Sequence, residues 1–489
     1  MSEPLARSYA GHIIATLKLG LPLVGGHIAQ FAITLTDTMM IGWYDITALA
    51  GMILGATLFL LIFLVGSGFA SAAMPMSAEA NAAGAEIGVR RATVSSFWLS
   101  IGFAALTLPL MLFSGDLFRT LGQEPGNADL AQVYLRIAAW GMFPALIVMV
   151  LRTYLSAMET TQVIFWTTLL MAFVNAGLNW VLIFGNLGAP ELGVEGAAIA
   201  SVITHSISIP FLVVYASRKF RSHRIISGLR EFDVPTSRRV FSLGLPIGLT
   251  SLAEMGMFSV GTLMMGLVGT LSLSAHAIAQ LISATTFMIH LGVSQAATVR
   301  VGKALGNNDA EGMRDGAIAA MIIAYIWVGL TVFVLVVYPD PLISLFVDAA
   351  EPARDQVIAV ATMFLLVAAA FQFADASQLM GLSLLRGLQD TRIPMILAVI
   401  SYWVVGVPAS YFLAFKVELG GTGIWWGQVA ALSVAALLLQ ARFWWVMLPL
   451  QAKVSNVATI DPDTTAAASP RATELGPTQG FGIASSQGG

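Results

Sequence analysis

Three carboxylates stand where acids are expensive: Asp37, Glu254 and Asp375 each lie inside a long apolar stretch of the chain. An ionised side chain at the bilayer centre costs about 2.5–3.5 kcal/mol on insertion scales, so a sequence that carries one there generally uses it. A carboxylate removed from water takes up a proton more readily. It also holds a hard monovalent cation when carbonyl and hydroxyl oxygens complete the shell, and it neutralises an organic cation. Where one acid serves two cations they compete, and loading the first expels the second, which is the simplest physical basis of antiport. The bland alternative for each is a neutral carboxylic acid tying two helices together.

Other polar residues fall near these acids in the pattern. Asn175 and Asn179 are one helical turn apart and share a face, so they can complete a polar pocket around Asp37 or serve as glue between helices. His27, His205 and His290 fall within apolar runs, where an interhelical hydrogen bond competes with a proton-relay role. Trp43, Trp140, Trp180, Trp425, Trp426, Trp444 and Trp445 cluster at run ends and read as an interfacial belt. Methionines such as Met39, Met40, Met264 and Met265 suit either core packing or an adaptable cavity.

The elements that must position these groups are membrane spans. Of 489 residues, 57 % are hydrophobic and only 10 % charged, against about 25 % charged in soluble domains. Twelve apolar runs are long enough to cross a bilayer: 13–42, 47–77, 94–114, 133–157, 162–186, 195–217, 240–268, 276–301, 315–338, 357–384, 392–415 and 422–448. Their unbroken apolar character, without alternation, selects helices over a barrel. Lys and Arg concentrate on the side of the N-terminus, which predicts both termini in the cytoplasm and Arg152 among the basic-side anchors. No removable signal peptide is expected. The absence of cysteine removes disulfides, thiolate catalysis and cysteine metal sites. There is no phosphate loop for ATP, no HExxH, no Gly-x-Ser-x-Gly elbow and no basic stripe for nucleic acid.

An internal repeat organises the spans. Leu19–Pro22 and Leu243–Pro246 both read LGLP, an offset of 224, and at that offset Thr38, Met40, Gly42, Gly68, Ala72 and Ala73 meet Thr262, Met264, Gly266, Gly292, Ala296 and Ala297. Six spans per half give both halves the same orientation, a parallel repeat whose substrate site is expected between the halves near mid-membrane. The predicted organisation is a cytoplasmic N-terminus (1–12), an N-lobe (13–217), a basic linker (218–239), a C-lobe (240–450) and a disordered tail (451–489).

The segments at 20–42, 244–266, 297–312 and 384–394 together resemble the multidrug and toxic compound extrusion (MATE) transporters, NorM branch. The resemblance implies an all-α fold of twelve transmembrane helices in two six-helix lobes around a V-shaped cleft. It also implies alternating access, and export of cationic drugs and dyes against Na+ or H+ across a bacterial inner membrane by a monomer without cofactor. By the same resemblance Glu254 and Asp375 form the C-lobe cation site, a Na+ site if sodium is the coupling ion, and Asp37, Asn175 and Asn179 form the N-lobe pocket for substrate or proton. His290 stands where the family usually has proline, with Phe287 near the place of a tyrosine ligand, and Glu79 replaces a common glutamine. The weighed alternatives are a flippase for lipid-linked oligosaccharides, which calls for a more basic cleft, and an intramembrane enzyme, for which no nucleophile or metal set is found.

Overall fold

The computed structural model describes residues 8–348 and 352–460. Twelve of its helices are long and apolar enough to span a bilayer. In the N-lobe these are α1 (Tyr9–Tyr44), α2 (Ile46–Ala82), α3 (Glu86–Leu112), α4 (Pro125–Ala157), α5 (Thr161–Phe184) and α6 (Val194–Lys219). The C-lobe has α7 (Val234–Val268), α8 (Thr270–Gly306), α9 (Ala310–Val337), α10 (Arg354–Gly387), α11 (Arg392–Lys416) and α12 (Gly420–Ser455). No strand occurs among the described residues.

Local chemistry sets the helix ends. Ser8 caps α1 by accepting from Gly11 N, and Asp45 caps α2 by accepting from Thr47 N and Ala48 N. Asp233 and Asp309 do the same for α7 and α9. Each cap satisfies backbone donors that a helix start leaves open. One residue alone, Asp45, turns α1 into α2, and one alone, Gly269, turns α7 into α8. These two positions are also 224 apart, so the repeat extends to the tightest turns. Gly269 has φ of 142°, a conformation that favours glycine.

The repeat explains how the lobes meet. A Cβ on Gly68 would stand 2.3 Å from Gly244 O and 2.5 Å from Gly248 N, so α2 and α7 touch backbone to backbone. A Cβ on Gly292 would stand 2.5 Å from Val24 N, and one on Gly20 would meet Ala296 and Val293, which brings α1 onto α8 in the same way. Adding the offset to Gly20, Val24 and Gly68 gives Gly244, Gly248 and Gly292, so the seam is one contact made twice. Val24 packs into the C-lobe core and Ala296 and Val299 into the N-lobe core.

On the basic side Glu79 of α2 accepts from Gln389 and from Arg239, while Lys303 binds Glu159 at 2.8 Å. At the opposite ends of α1, α2 and α7, Trp43, Ile46, Leu263 and Leu267 are exposed. Polar contacts thus tie the helices together on the basic side.

Several expectations shift. α12 continues as helix to Ile460, and Ser455 donates to Asn308 O in the α8–α9 turn, so the start of the expected tail is ordered helix. The rest of that expectation, 461–489, lies outside the described residues, as do residues 1–7. Trp425 does not belong to the interfacial belt: it is fully buried between Phe364, Phe371 and His276 in the C-lobe core. Closeness to the start of α12 predicts an end position, but Gly421 and Gly423 let the first turn approach Phe364 and Leu413 closely and draw the indole inward. In α11 and α12 the hydrogen-bond register widens to π type at 400–406, 412–416 and 442–447, a deviation that recurs at functional sites.

Candidate functional site

In the N-lobe, three helices meet at one carboxylate. Asn179 Nδ2 of α5 donates to Asp37 Oδ1 of α1 at 2.5 Å and to Asn175 Oδ1 at 3.2 Å, which uses both hydrogens of that amide. Ser201 Oγ of α6 donates to Asp37 Oδ2 at 3.2 Å. Both asparagines are wholly buried. The structure thus brings Asp37, Asn175 and Asn179 together, as their spacing allows, and adds Ser201. Asn179 Oδ1 is buried without a hydrogen-bond partner, so the pocket keeps one acceptor free.

The C-lobe holds the other two acids. Asp375 of α10 is 2 % exposed. Glu254 of α7 is half-buried and lies within the electrostatic range of Asp375 and of Arg386. Gln372, Asp375 and Gln378 recur every three residues and so share one face of α10. Gln372 Nε2 donates to Thr286 Oγ1 at 2.6 Å and Gln378 Nε2 donates to Tyr402 Oη at 2.6 Å. Those bonds fix both amides with their oxygens left over. Gln372 Oε1, Asp375 Oδ2 and Gln378 Oε1 are all buried without a partner. A row of unsatisfied buried acceptors is costly unless a proton, a cation or water joins it.

Of the three histidines, His27 of α1 makes the interhelical hydrogen bond, to Gln295 of α8, and the other two do not. His290 Nδ1 of α8 lies 3.8 Å from Asp375 Oδ2, and neither ring nitrogen has a hydrogen-bond partner. His205 Nδ1 bonds Ser201 O of its own helix at 2.8 Å. His27 Nε2 is buried and unpartnered. No group of three or more His, Asp or Glu positioned to hold a metal occurs among the described residues, so a cation at Glu254 and Asp375 would draw its remaining ligands from neutral oxygens. Gln372, Gln378, Tyr402, Arg386 and Ser201 escaped the reading from sequence. The three-residue spacing of Gln372, Asp375 and Gln378 was the available signal for the first two.

The fold and these sites define an integral membrane protein built as two parallel six-helix lobes, each with a buried acidic site. The chain belongs to the MatE family, whose model matches residues 22–181 and 246–412, one stretch in each lobe. It is 41 % identical over 440 residues to "Probable multidrug resistance protein NorM" of Rhizobium meliloti, covering 89 % of this chain and 94 % of that one. Identity to the protein of the same description from Agrobacterium fabrum is 38 %, over the same shares of each chain. Among solved structures, "Outward-facing conformation of a multidrug resistance MATE family transporter of the MOP superfamily" shares the fold with a TM-score of 0.82 at 21 % identity, over 93 % of this chain and 98 % of that chain.

Proposed function

We propose that this protein is a multidrug efflux antiporter that exports organic cations in exchange for Na+ or H+ by alternating access. Its relatives' descriptions as multidrug resistance proteins support the substrate class. The carrying observation is the face of α10 where Asp375 Oδ2, Gln372 Oε1 and Gln378 Oε1 lack partners within the field of Glu254. Such a set of oxygens accepts a small cation and gains little from an anion. Asp37 supplies a second negative site in the other lobe, so loading one lobe and releasing from the other is the minimal coupling scheme. In this reading the basic side faces the cytoplasm of a bacterial inner membrane, with both termini there, and the protein acts as a monomer without cofactor or ATP.

Dye efflux from vesicles, with Na+ and pH gradients imposed separately, tests the reading. Wild type should respond to at least one gradient. Glu254→Gln and Asp375→Asn should each abolish that response while the protein still folds. Full gradient-driven transport in both variants would overturn the assignment of the coupling site.

A further inference from the structure

The N-lobe contains a second polar site of opposite sign. Near the basic-side end of α4, the half-buried guanidinium of Arg152 lines a cavity between α1, α4, α5 and α6, beside Gln30, Thr168, Thr204, His205 and Ser208. The cavity offers about 20 Å³, room for a water or a small ion. Arg152 Nη1 donates to Gln30 Oε1 at 3.3 Å. No carboxylate lies within its electrostatic range among the described residues. The titratable groups that do sense it are His27 and His205, neither of which supplies negative charge.

The other polar groups here are largely committed. Thr168, Thr204 and Ser208 donate to carbonyls of their own helices. His205 Nδ1 bonds the Ser201 carbonyl, which can only accept, so that nitrogen carries the hydrogen. The half-buried guanidinium thus turns its spare N–H groups to a cavity in which no carboxylate among the described residues pairs with it, an arrangement that an anion completes.

The repeat sharpens the contrast. Gln30 precedes Glu254 by 224 residues, the offset that relates the lobes, so equivalent positions carry an acid in the C-lobe and an amide bound to a guanidinium in the N-lobe. Asp37 lies seven residues beyond Gln30 on α1, about 10 Å along the axis. Ser201 connects the two places, since its hydroxyl binds Asp37 and its carbonyl binds His205.

We propose that Arg152 and Gln30 form an anion subsite in the N-lobe for a monovalent anion, either the carboxylate of an amphoteric substrate whose amine goes to Asp37, or free chloride. The substrate form deepens the drug-antiporter reading and rests on it; the binding of anion itself does not.

The test uses the purified full chain in detergent, without any ion gradient, so that failure here and failure of gradient-driven efflux are separate results. One arm compares melting in chloride and in gluconate at equal ionic strength. The other measures fluorescence anisotropy of rhodamine 110, which has a free carboxylate, and of rhodamine 123, its methyl ester. Arg152→Gln should weaken rhodamine 110 by about tenfold and the ester by less than about twofold, which identifies a substrate carboxylate. Loss in Arg152→Gln of a chloride-dependent rise in melting temperature identifies free chloride. Gln30→Glu supplies an internal carboxylate to Arg152, so it should remove either response while the fold becomes more stable, and it serves if Arg152→Gln fails to fold. Dye affinities and chloride responses in the variants indistinguishable from wild type would overturn the subsite.

Discussion

His290 Nδ1 and Asp375 Oδ2 face each other across 3.8 Å in the C-lobe, both side chains buried and neither atom engaged in a hydrogen bond. Histidine and carboxylate thus lie within ion-pair distance without a hydrogen bond between them. Replacing His290 by leucine sets an apolar group against the buried carboxyl in place of a polar one, and a buried polar group left without polar contact costs about 1–3 kcal/mol. His290→Leu should therefore melt earlier than wild type. Because the pair acts as a unit, His290→Leu combined with Asp375→Leu should be more stable than the sum of the single losses by more than about 0.5 kcal/mol. Strictly additive melting shifts would mean that the two side chains do not interact.

The N-lobe acid gives a different signature. Asn179 Nδ2 serves Asp37 and Asn175 together, so Asn179→Leu removes two bonds and should destabilise the protein by about 1–3 kcal/mol. Ser201→Ala removes only the 3.2 Å bond and should cost about 0.5–1.5 kcal/mol. Asp37→Asn keeps the shape and deletes the charge, so gradient-driven efflux should be lost while melting changes little. Thermal melting beside vesicle efflux checks all three, and an Asp37→Asn protein with wild-type efflux would remove Asp37 from the coupling scheme.

Outside the membrane, the α6–α7 connection carries a pH-sensitive contact. His223 lies flat against Phe220 and pairs with Tyr154 Oη through Nδ1 at 2.7 Å. Burial pushes its imidazole below the ordinary value, and the nearby Glu86 pulls it partly back. A histidine lowered in the folded state favours the neutral form there, so the unfolded chain takes up protons first. Stability is complete above about pH 6.5, the unfolded value, and declines as pH falls from there toward the folded value. Melting between pH 7.5 and 5.5 should fall more for wild type than for His223→Gln. Equal slopes would show that this imidazole does not contribute.

Much of this arrangement was legible in the residues. Acids in apolar runs are rare enough that Asp37, Glu254 and Asp375 declared themselves, and Asn175 with Asn179 followed from helical spacing. The offset of 224 found the halves, but the sequence did not say that Gly68 and Gly292 are where the halves touch, since a glycine in a membrane helix also serves bends and turns. Arg152 was legible only in part. Charge counting places an arginine on one side of the membrane, whereas which way its side chain points depends on the helices packed around it. Trp425 failed likewise, because distance from a helix end says nothing about which face meets the core.

The glycine seam makes the last prediction, because what it meets is backbone and cannot step aside. A side chain at position 68 would collide with Gly244 O, and one at 292 with Val24 N. Overpacking of this kind costs about 1–3 kcal/mol when the structure stays closed, a penalty that opening the basic side relieves. Ala72, fully buried against Val240 and Leu243 beyond the seam, reports that opening. The chain has no cysteine, so Ala72→Cys is a unique thiol. In the wild-type background a maleimide should label it slowly. In Gly68→Val or Gly292→Val the rate should rise by about tenfold, the factor that corresponds to about 1.4 kcal/mol in the open population. The two variants should behave alike, since each breaks the same contact in one of its two copies. Labelling that stays slow in both, in folded protein, would mean that the glycines do not hold the basic side shut.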